Sequence, residues 1–215
     1  MDTFWGLIGA ADRAAMLRAG VMVEFAPGAV ICHQGDPTQS IMVVFSGLVR
    51  VSTVSAAGEE TVWAVRGAGE ILGEMAAVDG RPRSATLTAL DNVSGLLISG
   101  ARLAALGQTR PRIAWAMLQI VVSRSRAAGN QQELRSGPAL HRVAAVLLDV
   151  AHRDVLGASH DLIASVPLTQ RELAGIAGIS RETLVRVLKV LRERGIIETR
   201  RNHITILRED ELRLL

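Results

Sequence analysis

The sequence predicts an α+β fold: an N-terminal antiparallel barrel or roll of short strands, one long helix, and a C-terminal helix pair followed by a two-stranded wing. Three observations carry this. Short β-branched-rich runs recur between Gly, Pro, Asn and Asp turn residues through the N-terminal part of the chain. From Arg112 to Arg135 there is no Pro and one Gly. Between Thr169 and Leu191, two helical patterns meet at Gly178, each with its own N-terminal capping residue.

Asp12 to Ala19 reads as a short helix, favoured by Ala14, Ala15 and Leu17 and closed by Gly20. The period then changes to that of strands. The strand runs are Val21 to Phe25, Ile41 to Phe45, Leu48 to Val54, Glu60 to Val65, Thr86 to Leu90 and Val93 to Ile98. Pro27-Gly28, Gly35-Asp36-Pro37, Gly47, Ala57-Gly58, Gly67-Ala68-Gly69 and Asp91-Asn92 supply the turns between them. Gly100 to Leu106 forms a brief helix, and Pro111 suits the first position of the long one. Six turns, or about 36 Å, are available there. The long helix carries an apolar stripe of Ile113, Met117, Ile120, Val121 and Leu134, and becomes small and polar over Ser123 to Gln132. Such an imperfect heptad fits packing on its own domain or on a second copy. Ser136-Gly137-Pro138 breaks the helix and forms a hinge. Leu140, Val143, Ala144, Leu147 and Val150 then recur at helical spacing. A polar loop through Arg153-Asp154, Gly157 and His160-Asp161 leads to a strand over Leu162 to Val166, ended by Pro167. The chain divides at 1–110, 111–136 and 137–215.

Composition excludes several classes. The 215 residues, 49% hydrophobic, suit one or two folded domains with buried cores. No apolar run approaches the roughly 18 to 20 residues of a membrane helix, and Met1-Asp2-Thr3-Phe4-Trp5 lacks the order of a signal peptide. A cytoplasmic protein without a membrane partner is expected. Cys32, the single cysteine, can form no internal disulfide and cannot supply an iron–sulfur cluster. His33, His141, His152, His160 and His203 have no metal-ligand spacing, and no activated Ser or Cys nucleophile is apparent, so neither a metal site nor an enzyme is expected. The formal net charge is only +3, but from Ser165 to Arg201 eight Lys or Arg stand against four Glu. That local excess fits a nucleic-acid surface or a solvated face.

Gly73-Glu74-Met75 and Arg83-Ser84 lie within one fourteen-residue run ending at Thr86. Gly73 lets a backbone N–H approach a ligand closely, because no Cβ intervenes. Glu74 can accept from a ribose 2′-hydroxyl, Arg83 offers a guanidinium fork to phosphate oxygens, and Ser84 adds a hydroxyl. The alternative is that Glu74 and Arg83 form an ion pair that pins a turn. Gly-Glu, Pro-Arg-Ser-Ala-Thr and the spacing between them closely resemble the phosphate-binding cassette of cyclic-nucleotide-binding domains in the Crp/Fnr family of regulators.

Thr169-Gln170-Arg171-Glu172 is a capping box that starts a helix at Gln170, with Leu173, Ile176 and Ala177 inward. Gly178 makes the turn, Ile179 plugs it, and Ser180 caps a second helix whose Leu184, Val187, Leu188 and Leu191 face the core. Arg181, Glu182, Thr183 and Arg186 are left outward near its N-terminal end, the geometry by which a helix-turn-helix reads the major groove. Arg181 and Arg186 suit guanine O6 and N7, and Glu182 suits cytosine N4. Glu182 and Arg186 are also an i, i+4 pair that could be a mere helix staple. Ile196 to Thr199 and His203 to Ile206 form the wing. Leu168 to Leu191 resembles the helix-turn-helix of the same family.

That resemblance implies a cyclic-nucleotide-binding β-roll, a long dimerisation helix and a winged helix-turn-helix. It implies nucleotide contacts from Gly73, Glu74, Met75, Arg83 and Ser84. It further implies base reading by Arg181, Glu182 and Arg186, with Thr183 beside them, and phosphate contacts from Thr169, Arg171, Ser180 and Lys189. The expected partners are double-stranded DNA with a palindromic TGTGA-like site, a second copy of the chain, and RNA polymerase. The family's adenine-contacting Thr-Ser pair falls on Ala128 and Gly129, neither with a side-chain hydrogen bond, while Ser123, Ser125, Asn130, Gln131 and Gln132 lie nearby. The effector expected is therefore cAMP ahead of cGMP, with cyclic di-GMP as a further possibility. Two other readings remain open: a constitutive DNA binder with an empty roll, and a nucleotide-binding module whose helix pair contacts protein.

Overall fold

Thr3 accepts from the Gly6 amide and so caps α1 (Phe4–Leu7), a turn too short for periodicity to reveal. The protein is described here from a computed structural model covering residues 3–134, 137–155, 165–200 and 203–215. α2 (Ala10–Ala19) ends at Gly20, as expected, with φ −107°. Space is what requires glycine there, since a Cβ would stand 2.6 Å from the Leu96 side chain.

Eight strands follow in the N-terminal half: β1 (Val21–Phe25), β2 (Val30–Cys32), β3 (Ile41–Ser46), β4 (Val49–Val54), β5 (Glu60–Arg66), β6 (Ile71–Leu72), β7 (Thr86–Ala89) and β8 (Val93–Ile98). α3 (Glu74–Asp79) lies between β6 and β7. Among these, β2 and β6 were not foreseen, being three and two residues long and too short to show a period of two. The strands form two four-stranded antiparallel sheets, ordered β1-β8-β3-β6 and β2-β7-β4-β5. Met42, Val44, Leu72 and Val93 of one sheet meet Cys32, Val49, Leu87 and Ala89 of the other. Ile41 and Val43, on the opposite face of β3, pack under helices. Burial on both faces explains why β3 reads as an unbroken apolar run.

α4 (Gly100–Thr109) runs three residues beyond the expected Leu106, through Gly107, Gln108 and Thr109. α5 (Pro111–Leu134) follows, a helix of 24 residues and about 36 Å. Ile113, Ala116 and Met117 seat α5 against Phe4, Met16 and Leu103 on the first sheet. The C-terminal part comprises α6 (Ala139–Val155), β9 (Ser165–Val166), α7 (Gln170–Ala177), α8 (Arg181–Glu193), β10 (Ile197–Arg200), β11 (His203–Ile206) and α9 (Glu209–Arg213). Its core joins Val143 and Leu147 of α6 to Leu173, Leu184, Leu188 and Leu191, and extends to Leu48 and Val65 of the roll. The hinge at Ser136, the loop and strand start over 156–164, and the turn at Arg201-Asn202 lie outside the described residues, as do the side chains of Ala128, Gly129, Asn130, Gln131, Gln132 and Leu134.

Candidate functional sites

The candidate site residues fall in two places, one in the roll and one in the C-terminal helix pair. In the first, Gly73 caps α3 at φ +77°, in the left-handed region that favours glycine. A Cβ there would stand 2.1 Å from Arg83 Nη1. The residue thus makes room for a guanidinium as well as for a turn. Arg83 is only 7% exposed. It donates from Nε to Thr38 Oγ1 at 2.9 Å, from Nη2 to Ser40 Oγ at 2.9 Å, and from Nη1 to the Gly73 carbonyl at 3.2 Å. All three acceptors are neutral. Among the described residues no carboxylate pairs with this buried cation, a costly arrangement without a counter-charge.

Arg83 lines a cavity of about 250 Å³ between the two sheets, with Thr38, Ser40, Asp36 and Cys32 at its polar side and Met42 and Leu87 among its apolar walls. Burial pushes the Cys32 thiol pKa up, and the nearby Arg83 partly opposes it. Glu74, Met75 and Ser84 do not line this cavity. Ser84 Oγ lies 3.8 Å from Met75 Sδ on the surface.

Glu74 does not pair with Arg83. Its Oε1 accepts from Arg124 Nη1 of α5 at 2.7 Å, while Arg124 Nη2 donates to the Ile71 carbonyl at 2.7 Å. The turn-pinning ion pair is therefore not formed. Sequence reasoning missed Arg124, whose position in a polar helical stretch carries no motif.

In the second site the capping box is complete. Glu172 N donates to Thr169 Oγ1 at 3.2 Å, and Glu172 Oε2 accepts from Thr169 N at 2.8 Å. Gly178 closes α7 at φ +62°, and Ser180 caps α8 by accepting from Thr183 N at 3.2 Å. Leu184, Val187, Leu188 and Leu191 are buried as their spacing requires, which turns Arg181, Glu182, Arg186 and Lys189 to solvent. Arg186 Nη2 donates to Thr183 Oγ1 at 3.3 Å, and the i, i+4 ion pair formed on α8 is instead Lys189–Glu193 at 3.7 Å. Hydrogen bonds from its own backbone amide and from Ser180 lower the Glu182 pKa, so its carboxylate is an acceptor at neutral pH.

A concavity of about 640 Å³ beside these helices brings Thr169, Arg171 and Arg181 together with Arg200 of the wing. Ser180, Glu182, Thr183, Arg186 and Lys189 lie outside its lining. Unforeseen is the link back to the roll: Glu172 Oε1 accepts from Arg50 Nη1 of β4 at 2.6 Å.

On α5 the expected stripe holds at Ile113, Met117 and Ile120, while Val121 leaves it for the exposed side. Ile113 and Met117 face the helix's own roll, and Ile120 packs at its margin. A different row, Trp115 (62% exposed), Leu118 (50%), Val121 and Val122, stands open.

Comparison with known proteins gives concordant matches in both parts. The family model for the cyclic nucleotide-binding domain matches residues 22–110, and that for the Crp-like helix-turn-helix domain matches residues 141–215. The chain is 36% identical over 174 residues to the cyclic AMP receptor protein of Thermus thermophilus, covering 79% of this chain and 76% of that one. It is 28% identical over 185 residues to the CRP-like cAMP-activated global transcriptional regulator of Mycobacterium tuberculosis, covering 86% and 83%. The c-di-GMP responsive global regulator CLP of Xanthomonas campestris superposes with a TM-score of 0.73 at 25% identity, covering 92% of this chain and 99% of that one.

Proposed function

Because the chain belongs to the Crp/Fnr family of transcription regulators, with a cyclic-nucleotide-binding domain joined to a Crp-like helix-turn-helix, we propose that a cyclic nucleotide entering the roll controls its binding to a palindromic, TGTGA-like DNA site. The observation that carries this reading is Arg83, a buried guanidinium with neutral partners beside a cavity. An anion supplies the missing counter-charge. In this reading the phosphate meets Arg83 and Ser84, the Gly73 backbone and Met75 border the ligand, and Glu74 takes the ribose hydroxyl.

We place cAMP first and cGMP second. The division is a roll (1–110), a connecting dimer helix (111–136) and a DNA-reading unit (137–215) in a cytoplasmic regulator that binds rather than catalyses. Trp115, Leu118, Val121 and Val122 would meet the same residues of a second copy, as a two-fold interface requires. The dimer would present its α8 helices to successive major grooves roughly 34 Å apart. Arg181, Glu182, Thr183 and Arg186 would read bases, and Thr169, Arg171, Ser180 and Lys189 would meet phosphates.

Calorimetric titration of the full chain with cAMP, cGMP and cyclic di-GMP tests the sensing half. Arg83→Ala is expected to raise the nucleotide Kd at least 30-fold, since truncating one side of a buried charge-assisted pair costs about 2 to 5 kcal/mol. An unchanged Kd would remove Arg83 from the site.

A further inference from the structure

A chain of alternating charges leads from the cassette to the DNA-reading unit. Arg124 binds Glu74 at 2.7 Å and lies 3.7 Å from Glu70 Oε1. Glu70 Oε2 accepts from Arg153 Nη1 of α6 and, at 2.9 Å, from the Gly67 amide. Arg153 completes the chain by forking to Asp149, at 3.0 Å from Nε and 2.8 Å from Nη2. Arg66 Nε also approaches Glu70 Oε1, at 3.6 Å. Three guanidiniums thus compete for one carboxylate whose side chain is 12% exposed.

The crowding is visible in the charges themselves. Burial pushes the Arg66 pKa down to about 10, with Glu70 opposing the shift and Arg124 and Arg153 reinforcing it. The backbone is shaped for the same contact. A Cβ at Gly67 would stand 2.9 Å from both the Cβ and the carbonyl oxygen of Arg153, so glycine there lets the end of α6 seat on the roll. Glu70 and Arg153 contribute no atom to the cavity beside Arg83 or to the exposed face of α8.

The geometry points to Glu70 and Arg153 as positioning residues that couple nucleotide occupancy to the placement of the DNA-reading helices. The inference rests on the reading that the cassette takes a cyclic nucleotide through Glu74. A ligand hydroxyl that donates to Glu74 shares the carboxylate now engaged by Arg124. Arg124 then turns further onto Glu70, and Glu70 holds Arg153 less strongly. α6 is freed at its C-terminal end, and α7 and α8, which share its core, move with it. Both sites bias one two-state contact, which is what coupling between them requires.

The test uses the full chain as wild type, Arg153→Ala, Arg153→Lys and Glu70→Gln, and a palindromic duplex selected from a random pool. Nucleotide Kd is measured by calorimetry, DNA Kd with and without saturating cAMP, and amide exchange across α6 and α7. For Arg153→Ala, nucleotide Kd should stay within about threefold of wild type. The ratio of DNA affinities with and without cAMP should fall toward 1 by about 10-fold, within the usual 5- to 150-fold range of such couplings. Arg153→Lys should restore part of the ratio, Glu70→Gln should lose it as Arg153→Ala does, and exchange in α6 should rise in the alanine variant. A wild-type ratio in Arg153→Ala would overturn the inference. If wild type binds none of the three nucleotides, the sensing reading fails first and the coupling claim falls with it. The exchange result then decides separately whether Arg153 positions α6, unchanged protection meaning that it does not.

Discussion

Arg83 and Glu74 sit nine positions apart, yet each is fixed by a different part of the molecule. Arg83 is held by Thr38 and Ser40 from the segment before β3, Glu74 by Arg124 from α5. Gly73 joins the two, because its carbonyl accepts from Arg83 and its missing Cβ leaves room for that guanidinium. Gly73→Ala should therefore act twice. Holding a non-glycine residue at φ +77° costs about 1 to 3 kcal/mol, and the new methyl must displace Arg83 Nη1. The expected result is a lower unfolding midpoint together with a nucleotide Kd raised at least 10-fold. A variant with lowered stability but wild-type affinity would show that the guanidinium does not have to stay where it is. Sequence placed Gly, Glu and Arg in one run, and their chemistry was readable from side-chain type alone.

At the scale of elements, α5 serves two surfaces. Ile113 and Met117 bury one side against the roll, and Trp115, Leu118 and Val122 leave an apolar row on the other at i, i+3, i+7 spacing. Exposed apolar rows of this kind mark association surfaces. Leu118→Glu should weaken the proposed dimer at least 10-fold, read as a shift to monomer in sedimentation at low micromolar concentration, with the roll's own unfolding little changed. A dimer of unaltered strength would move the interface elsewhere. α7 and α8 behave differently, since everything that builds them lies within a few residues: the Thr169–Glu172 box, the left-handed Gly178, the Ser180 cap and a strict apolar face. Those features were fully legible in advance. The link from Glu172 to Arg50 was not.

For the whole molecule, the charge pattern decides how DNA binding responds to salt. Lys189 is 68% exposed along its side chain and pairs with the similarly exposed Glu193 at 3.7 Å, an ion pair worth little to stability. Lys189→Ala should reduce the slope of log K against log salt by about 1 and weaken binding evenly across sequences, measured by duplex titration over a salt series. A changed sequence preference with an unchanged slope would reassign it from phosphate to base. The formal charge of +3 could not have forecast this, because the cations that matter are gathered on one unit. By itself the sequence determined the strand-rich roll, the long helix and the helix-turn-helix, since caps, turns and apolar periods act over three or four residues. Only tertiary packing decided which carboxylate meets which guanidinium. Glu74 finds Arg124 at 50 residues' separation, Glu70 finds Arg153 at 83, and Glu172 finds Arg50 at 122. Packing likewise chose which row of α5 faces inward. Like charges and like apolar rows are interchangeable along a chain, and only the close approach of folded surfaces distinguishes them.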